Sequence, residues 1–161
     1  MTTTISSGLS MVVINPKTRR WTLTRYAGLK AEAIKDEWSR RLTEPVYIQR
    51  YLISWGIEFE SVDGQVSFFL SFRLKKGIYD EFLDWPFSYT LKLCLIHPET
   101  QQEDCASEKP DVENYYKYFA RPLKDSNDRL GLASATFDTS YCEENGFIKE
   151  DKLLLKLEVL L

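Results

Sequence analysis

The chain of 161 residues has no apolar run near the roughly 20 residues that a membrane-crossing helix needs. It has one histidine, so a cysteine or serine nucleophile could only take its base from His97. Cys94 is three positions away, and on a strand that spacing puts the two side chains on opposite faces. The cysteines, Cys94, Cys105 and Cys142, are odd in number and irregularly spaced. That pattern speaks against a disulfide framework and predicts reduced thiols in a cytoplasmic or nuclear protein. Even with His97 added, the cysteines miss the paired spacing of a structural zinc site. The seven glycines are scattered singly, which leaves no loop to cradle a phosphate. Carboxylates abound, as at Asp80, Glu81 and Asp84, but no pair stands out for acid–base work. A net charge of -3 offers nothing to attract nucleic acid or an anionic membrane. The reading is of a non-enzymatic protein that needs no cofactor and no metal. The opening MTTTISSGLSMVV lacks the basic start of a secretory signal, so residues 1–20 are taken as a flexible leader or expression remnant and 21–161 as one domain.

What the chain does have is apolar residues in alternation. Hydrophobic residues make up 43% and aromatic residues 14%, enough for one packed core. Trp21 to Thr24 alternates apolar and polar. Ile53, Trp55, Ile57 and Phe59 take every second position, with Ser54, Gly56, Glu58 and Glu60 facing the other way. Asp63-Gly64 is a hairpin turn signal, and Gln65 to Leu74 reads as the returning strand. Thr90 to Ile96, Gly131 to Phe137 and Lys152 to Leu161 add three more strands. Ile34, Trp38 and Leu42 lie four apart, so the spacing predicts a helix over 27–42. Asp80 to Trp85 fits one helical turn before Pro86. His97 to Asp111 is polar and holds two prolines, which predicts a surface loop. Short strands joined by polar loops predict an all-β antiparallel sandwich with one short helix near its N-terminal end.

Two stretches are unusual. Trp85-Pro86-Phe87 stands directly before a strand, and proline cannot donate to a ladder hydrogen bond, so it belongs at the strand's mouth. The flanking aromatics then plug one end of the core. Glu113 to Pro122, ENYYKYFARP, crowds Tyr115, Tyr116, Tyr118 and Phe119 into a segment that begins and ends as loop. Such a segment either packs on the sandwich or has the tyrosine-rich composition of protein interfaces.

These blocks together carry a resemblance. RRWTLTRY, RYLISWGIEF, KKGIYDEFLDWPFSYTLKLCLI, then EKPD, LGLASATF and the closing ENGFIKEDKLLLKLEVLL, resemble the TRAF-C (MATH) domain family in its own order from about Trp21 to Leu161, most closely over the last three quarters of that span. The resemblance implies an eight-stranded antiparallel sandwich in which Trp85 and Phe87 are core plugs. Trp85→Ala is then expected to cost ~3–5 kcal/mol. It also implies a module that binds extended peptides along a sheet edge and recruits a protein partner into a signalling or ubiquitin-ligase assembly.

Where the family meets an acidic peptide residue with an arginine and a tyrosine, this sequence offers Gly56 and Glu58, or Glu58 and Glu60. The family's serine run falls near Asn114, Tyr115 and Tyr116, its Ser-Gly appears as Ser134-Ala135, and the phenylalanine before its Lys-Pro-Asp is Glu108. The expected partner-binding residues are therefore Glu58, Asn114, Tyr115, Tyr116, Ser134 and Ala135. A groove bearing Glu58 is expected to prefer neutral or basic peptides. No heptads precede Trp21, so coiled-coil trimerisation is not expected from this chain. The alternative reading is a structural domain that self-associates or packs within a larger protein.

Overall fold

A computed structural model describes residues 16–161. The expected leader falls mostly outside these residues. The first strand, β1, spans Thr18–Leu23 and so begins three residues before the domain start read from the sequence.

Among the described residues, two five-stranded antiparallel sheets face each other. In order, the strands and helices after β1 are α1 Tyr26–Asp36, β2 Trp38–Leu42, β3 Val46–Ile48, β4 Tyr51–Val62, β5 Gln65–Lys75, a 3-10 turn at Asp80–Phe82, β6 Thr90–Ile96, β7 Glu103–Glu108, α2 Tyr116–Phe119, β8 Leu130–Asp138, α3 Thr139–Glu144, β9 Ile148–Lys149 and β10 Lys152–Leu160. One sheet runs β1-β10-β6-β7 with β9 beside β10; the other runs β2-β4-β5-β8 with β3 beside β4. Without the short β3 and β9, eight principal strands remain, as the resemblance implied.

The β4–β5 hairpin follows its sequence signals closely. Val62 pairs with Gln65 across a two-residue loop, and both loop residues have positive φ, Asp63 at 51° and Gly64 at 80°. Turns of that kind match the twist of the flanking strands. The inward positions Ile53, Trp55, Ile57 and Phe59 are at most 1% exposed. They meet Leu91, Leu93, Leu95, Leu153, Leu155 and Leu157 of the facing sheet, all fully buried.

Four expectations are corrected. The helix is shorter than 27–42: it buries Tyr26, Leu29 and Ala33, ends at Glu37 (φ 72°), and the chain turns back as β2. Trp38 and Leu42 are thus strand residues, and Ile34 is 57% exposed. Ser39 ties β2 to the helix by donating from Oγ to the Leu29 carbonyl at 2.7 Å. Second, the polar segment expected as a loop contains β7. Its side chains alternate between exposed and half-buried because it lies at a sheet edge.

The third correction concerns the cysteines. Cys94 and Cys105 lie directly opposite each other on β6 and β7, Cα atoms 4.0 Å apart, and form a disulfide. Only Cys142 is a free thiol, and burial pushes it up to about 12. The cytoplasmic or nuclear expectation, so far as it rested on reduced thiols, loses that support. No helix among the described residues is long and apolar enough to cross a membrane.

The last correction is to the plug at Trp85-Pro86-Phe87. Phe87 is fully buried, but Trp85 is only half-buried. The Tyr51 ring meets Trp85 at 5.1 Å, Phe87 at 4.9 Å and Tyr89 at 5.8 Å, all edge-on, a favoured arrangement for aromatic pairs. The Tyr51 hydroxyl donates to the Asp84 carbonyl (2.6 Å), and Trp85 Nε1 donates to the Asp80 carbonyl (2.7 Å). The corner is fastened at both ends.

Candidate functional site

The aromatic segment divides its labour. Phe119 is fully buried; its ring lies 6.4 Å from Phe87, and its carbonyl accepts the Phe87 amide at 2.7 Å. The plug and the tyrosine-rich segment therefore anchor each other. Asn127 holds the end of the same segment, with its side-chain amide donating to the carbonyls of Tyr118 and Ala120 at 3.2 and 2.8 Å. Tyr115 and Tyr116 are left outside, 46% and 57% exposed.

The structure separates these two tyrosines. Tyr115 lines a small cleft of about 150 Å³ with Glu108, Asp111, Phe119, Leu130, Gly131 and Ala133. Tyr116 lines a different, shallower hollow with Ser88 and residues 109–113. Asn114 donates to Asp111 from both its backbone and side-chain nitrogens, at 3.2 and 2.8 Å, and so shapes the loop between the two hollows.

Ser134 and Ala135 lie where β8 leaves its regular pairing. Phe69 opposes Thr136 but Leu70 opposes Leu132, so Ala133, Ser134 and Ala135 form a bulge at the free edge of the sheet. Bulges re-aim backbone groups and side chains. Here Ala135 turns fully inward and Ser134 outward. The freed Ser134 amide donates to Glu108 Oε1 of β7 at 2.7 Å. Glu108, named in the sequence as a departure from the family, is thus the residue that meets the predicted Ser134.

Glu58 is not part of this cleft. It lies two strands inward, on the outer face of the β2-β4-β5-β8 sheet, opposite Arg40 of β2 and Phe69 of β5. Its Oε1 accepts Trp38 Nε1 at 2.9 Å, and the Arg40 guanidinium lies 5.2 Å from the centre of the Trp38 ring. Arg129, just before β8, reaches over the same face. Its Nη1 donates to the Ser54 carbonyl (3.2 Å) and Ser71 Oγ (3.3 Å), and its Nη2 donates to Ser54 Oγ. Arg73, paired with Ser54 across the strands, donates from Nε to the Asn127 carbonyl at 2.7 Å. Burial, then the nearby charges of Arg40 and Arg73, lower Arg129 to about 10, with Glu58 pulling the other way. Three guanidinium groups thus share the face with Glu58 and, one pair further along β4, Glu60, so the expected preference for neutral or basic peptides, argued from Glu58 alone, left the arginines out of account. Sequence reasoning missed the arginines because they come from three separated segments.

The cysteine–histidine pairing considered from sequence is foreclosed. Cys94 is tied to Cys105, and His97 Nδ1 accepts the Glu99 and Thr100 amides (3.1 and 3.3 Å) while Nε2 faces the Asn145 carbonyl (3.1 Å).

No curated protein matches the sequence. Among solved structures, TRAF5 of Notothenia coriiceps is similar in fold: the TM-score is 0.73 at 22% identity, covering 91% of this chain and 74% of that one. The sequence profile of the TRAF/meprin MATH domain family matches residues 51–156, which is more than half of the chain. The chain therefore belongs to the TRAF/meprin MATH domain family.

Proposed function

We propose that this domain recruits a protein partner by receiving an extended segment of it along the β8 edge. The observation that carries this reading is the edge itself. Among the described residues β8 pairs only with β5, and its Ser134 amide is met by a carboxylate side chain where a neighbouring strand would otherwise donate and accept. Unpaired edge groups give an incoming strand its main-chain hydrogen bonds, and flanking pockets choose its side chains. The cleft at Tyr115, Glu108, Gly131 and Ala133 is the flanking pocket. Ser134 and Ala135 offer the backbone, Asn114 shapes the loop, and Glu58 belongs to the outer face that the segment would cross. Tyr116 lines the separate hollow and is a secondary contact. Service within a signalling or ubiquitin-ligase assembly is a proposal resting on family membership.

The test is a selection of binders from a displayed random-peptide pool, followed by amide chemical-shift mapping on the labelled domain. Shifts centred on residues 130–136 and on Tyr115, with binding lost in Tyr115→Ala and the fold retained, support the reading. Binders that map to β1 or to β2 and β3, or a pool that yields none, overturn it.

A further inference from the structure

The outer face of the β2-β4-β5-β8 sheet carries a charge arrangement that folding alone does not account for. Among the described residues, Arg40, Arg73 and Arg129 have no carboxylate within 4.0 Å; the ion pairs present are all made by lysines. Of the two β4 acids on this face, Glu58 is the one that acts on Arg129, and it is engaged by the Trp38 indole; Glu60 lies one pair further along, opposite Trp38. Around Arg129, three guanidinium groups less the Glu58 carboxylate leave a local charge of +2 on a chain whose net charge is -3.

Clustered, uncompensated cations oppose folding, and Arg129 is also half-buried. It is nevertheless held by hydrogen bonds to Ser54 and Ser71, two side chains only 6% and 0% exposed. Arg73 is fixed through Nε alone, so its terminal nitrogens have no protein acceptor among the described residues. Arg40 rests against the Trp38 ring. Each guanidinium is oriented, and none is neutralised.

We propose that this face is a phosphate-recognition site, in which Arg73 and Arg129, supported by Arg40, receive the phosphoryl group of a phosphorylated partner segment lying beside β8. A phosphomonoester carries about −1.5 to −2 at neutral pH and cancels the local charge, whereas a single carboxylate cancels half of it. The planar guanidinium fork also matches phosphate oxygens in pairs. The site adjoins the proposed docking edge, because Arg129 leads directly into β8 and Gly131 pairs with Ser71. The assignment thus rests on the edge-docking reading and gives it a partner chemistry.

The experiment compares three fluorescently labelled degenerate peptide pools with a fixed central phosphoserine, serine or glutamate, measured by anisotropy against the intact domain. Phosphoserine peptides bind about tenfold or more tightly than their serine counterparts, and the gap closes as salt rises. Arg73→Gln removes most of that gap. Arg40→Gln narrows it while leaving the buried hydrogen bonds of Arg129 in place, so the outcome does not depend on a variant that fails to fold. Glu58→Gln widens the gap by removing the competing charge, a change that a merely structural role for Glu58 does not produce. Equal binding of the phosphoserine and serine pools overturns the phosphate assignment and leaves edge docking standing. Equal binding of the glutamate and phosphoserine pools overturns it in favour of a carboxylate ligand. Failure of all three pools to bind overturns edge docking as well.

Discussion

Glu108 accepts the Ser134 amide at 2.7 Å, so a side chain from the edge strand of one sheet caps the edge strand of the other. An exposed amide on a free edge invites pairing with any passing strand, and proteins commonly cover such groups. A carboxylate covers it reversibly. It satisfies the donor in the free domain and can swing away when a partner's carbonyl arrives.

Glu108→Ala leaves the fold in place and exposes that amide. Removing one charge-assisted hydrogen bond at an exposed position should speed exchange of the Ser134 amide by about tenfold, with little effect on neighbouring β8 amides. Hydrogen exchange read by NMR measures it directly. Unchanged Ser134 exchange in Glu108→Ala would show that the cap contributes nothing.

The two aromatics of the plug should differ in cost. Phe87 is fully buried among Tyr51, Phe72 and Phe119, so Phe87→Ala removes packing on all sides and should cost ~3–5 kcal/mol. Trp85 keeps one face toward solvent, so Trp85→Ala should fall below that, at ~2–3 kcal/mol, less than expected from sequence. Urea denaturation of the two variants decides the order. A Trp85 variant less stable than the Phe87 variant would contradict it.

These contrasts show where the sequence was legible. The β4–β5 hairpin could be read because alternation, a two-residue Asp-Gly turn and burial on one face all pointed the same way. Trp-Pro-Phe could be read because proline has so few places beside a strand. β2 was hidden inside a helical spacing: Leu29, Ile34, Trp38 and Leu42 suit one stripe, and the break at Glu37 is made by a non-glycine residue with positive φ. β7 was hidden because an edge strand with half-buried side chains has the composition of a loop, and with it went the register that brings Cys94 opposite Cys105. For the proposed site, Tyr115, Ser134 and Ala135 were named through the family blocks, and their use by a partner stands as a proposal. The arginine face was not, since Arg40, Arg73 and Arg129 become neighbours only through sheet pairing.

The Cys94–Cys105 link closes a short loop between paired strands, a sequence separation of 11. Closing a loop of that size restricts the unfolded chain by ~2–3 kcal/mol in the chain-entropy account. Cys105→Ser should therefore lower the stability of the oxidised protein by about that amount. It should leave the reduced protein unchanged to within about 0.5 kcal/mol, because Cys105 is exposed. Thermal melts with and without reductant test this. An equal loss in both conditions would place the effect in packing and not in the cross-link.

The contact between α1 and α3 predicts stability at both ends of the pH scale. Tyr26 donates its hydroxyl proton to Glu143 Oε2 at 2.9 Å, and Lys30 pairs with the same oxygen at 2.8 Å. Burial raises the Glu143 carboxyl, but the bonds from Lys30 and Tyr26 outweigh it, and the group sits below its ordinary value. Between its folded and unfolded values the unfolded chain binds more protons. The contribution of Glu143 is therefore full above the ordinary glutamate range and is lost as pH falls through the folded value. Tyr26 behaves oppositely. Burial first, then the Glu143 hydrogen bond, raises it well above its ordinary value of 10.0. The folded state keeps a proton that the unfolded state releases, so this contribution is full below pH 10.0 and declines above it. Glu143→Gln should flatten the acid limb of a stability–pH profile, and Tyr26→Phe should flatten the alkaline limb. If both limbs of the Tyr26→Phe profile match those of the unmodified protein, the hydroxyl is not the group that titrates.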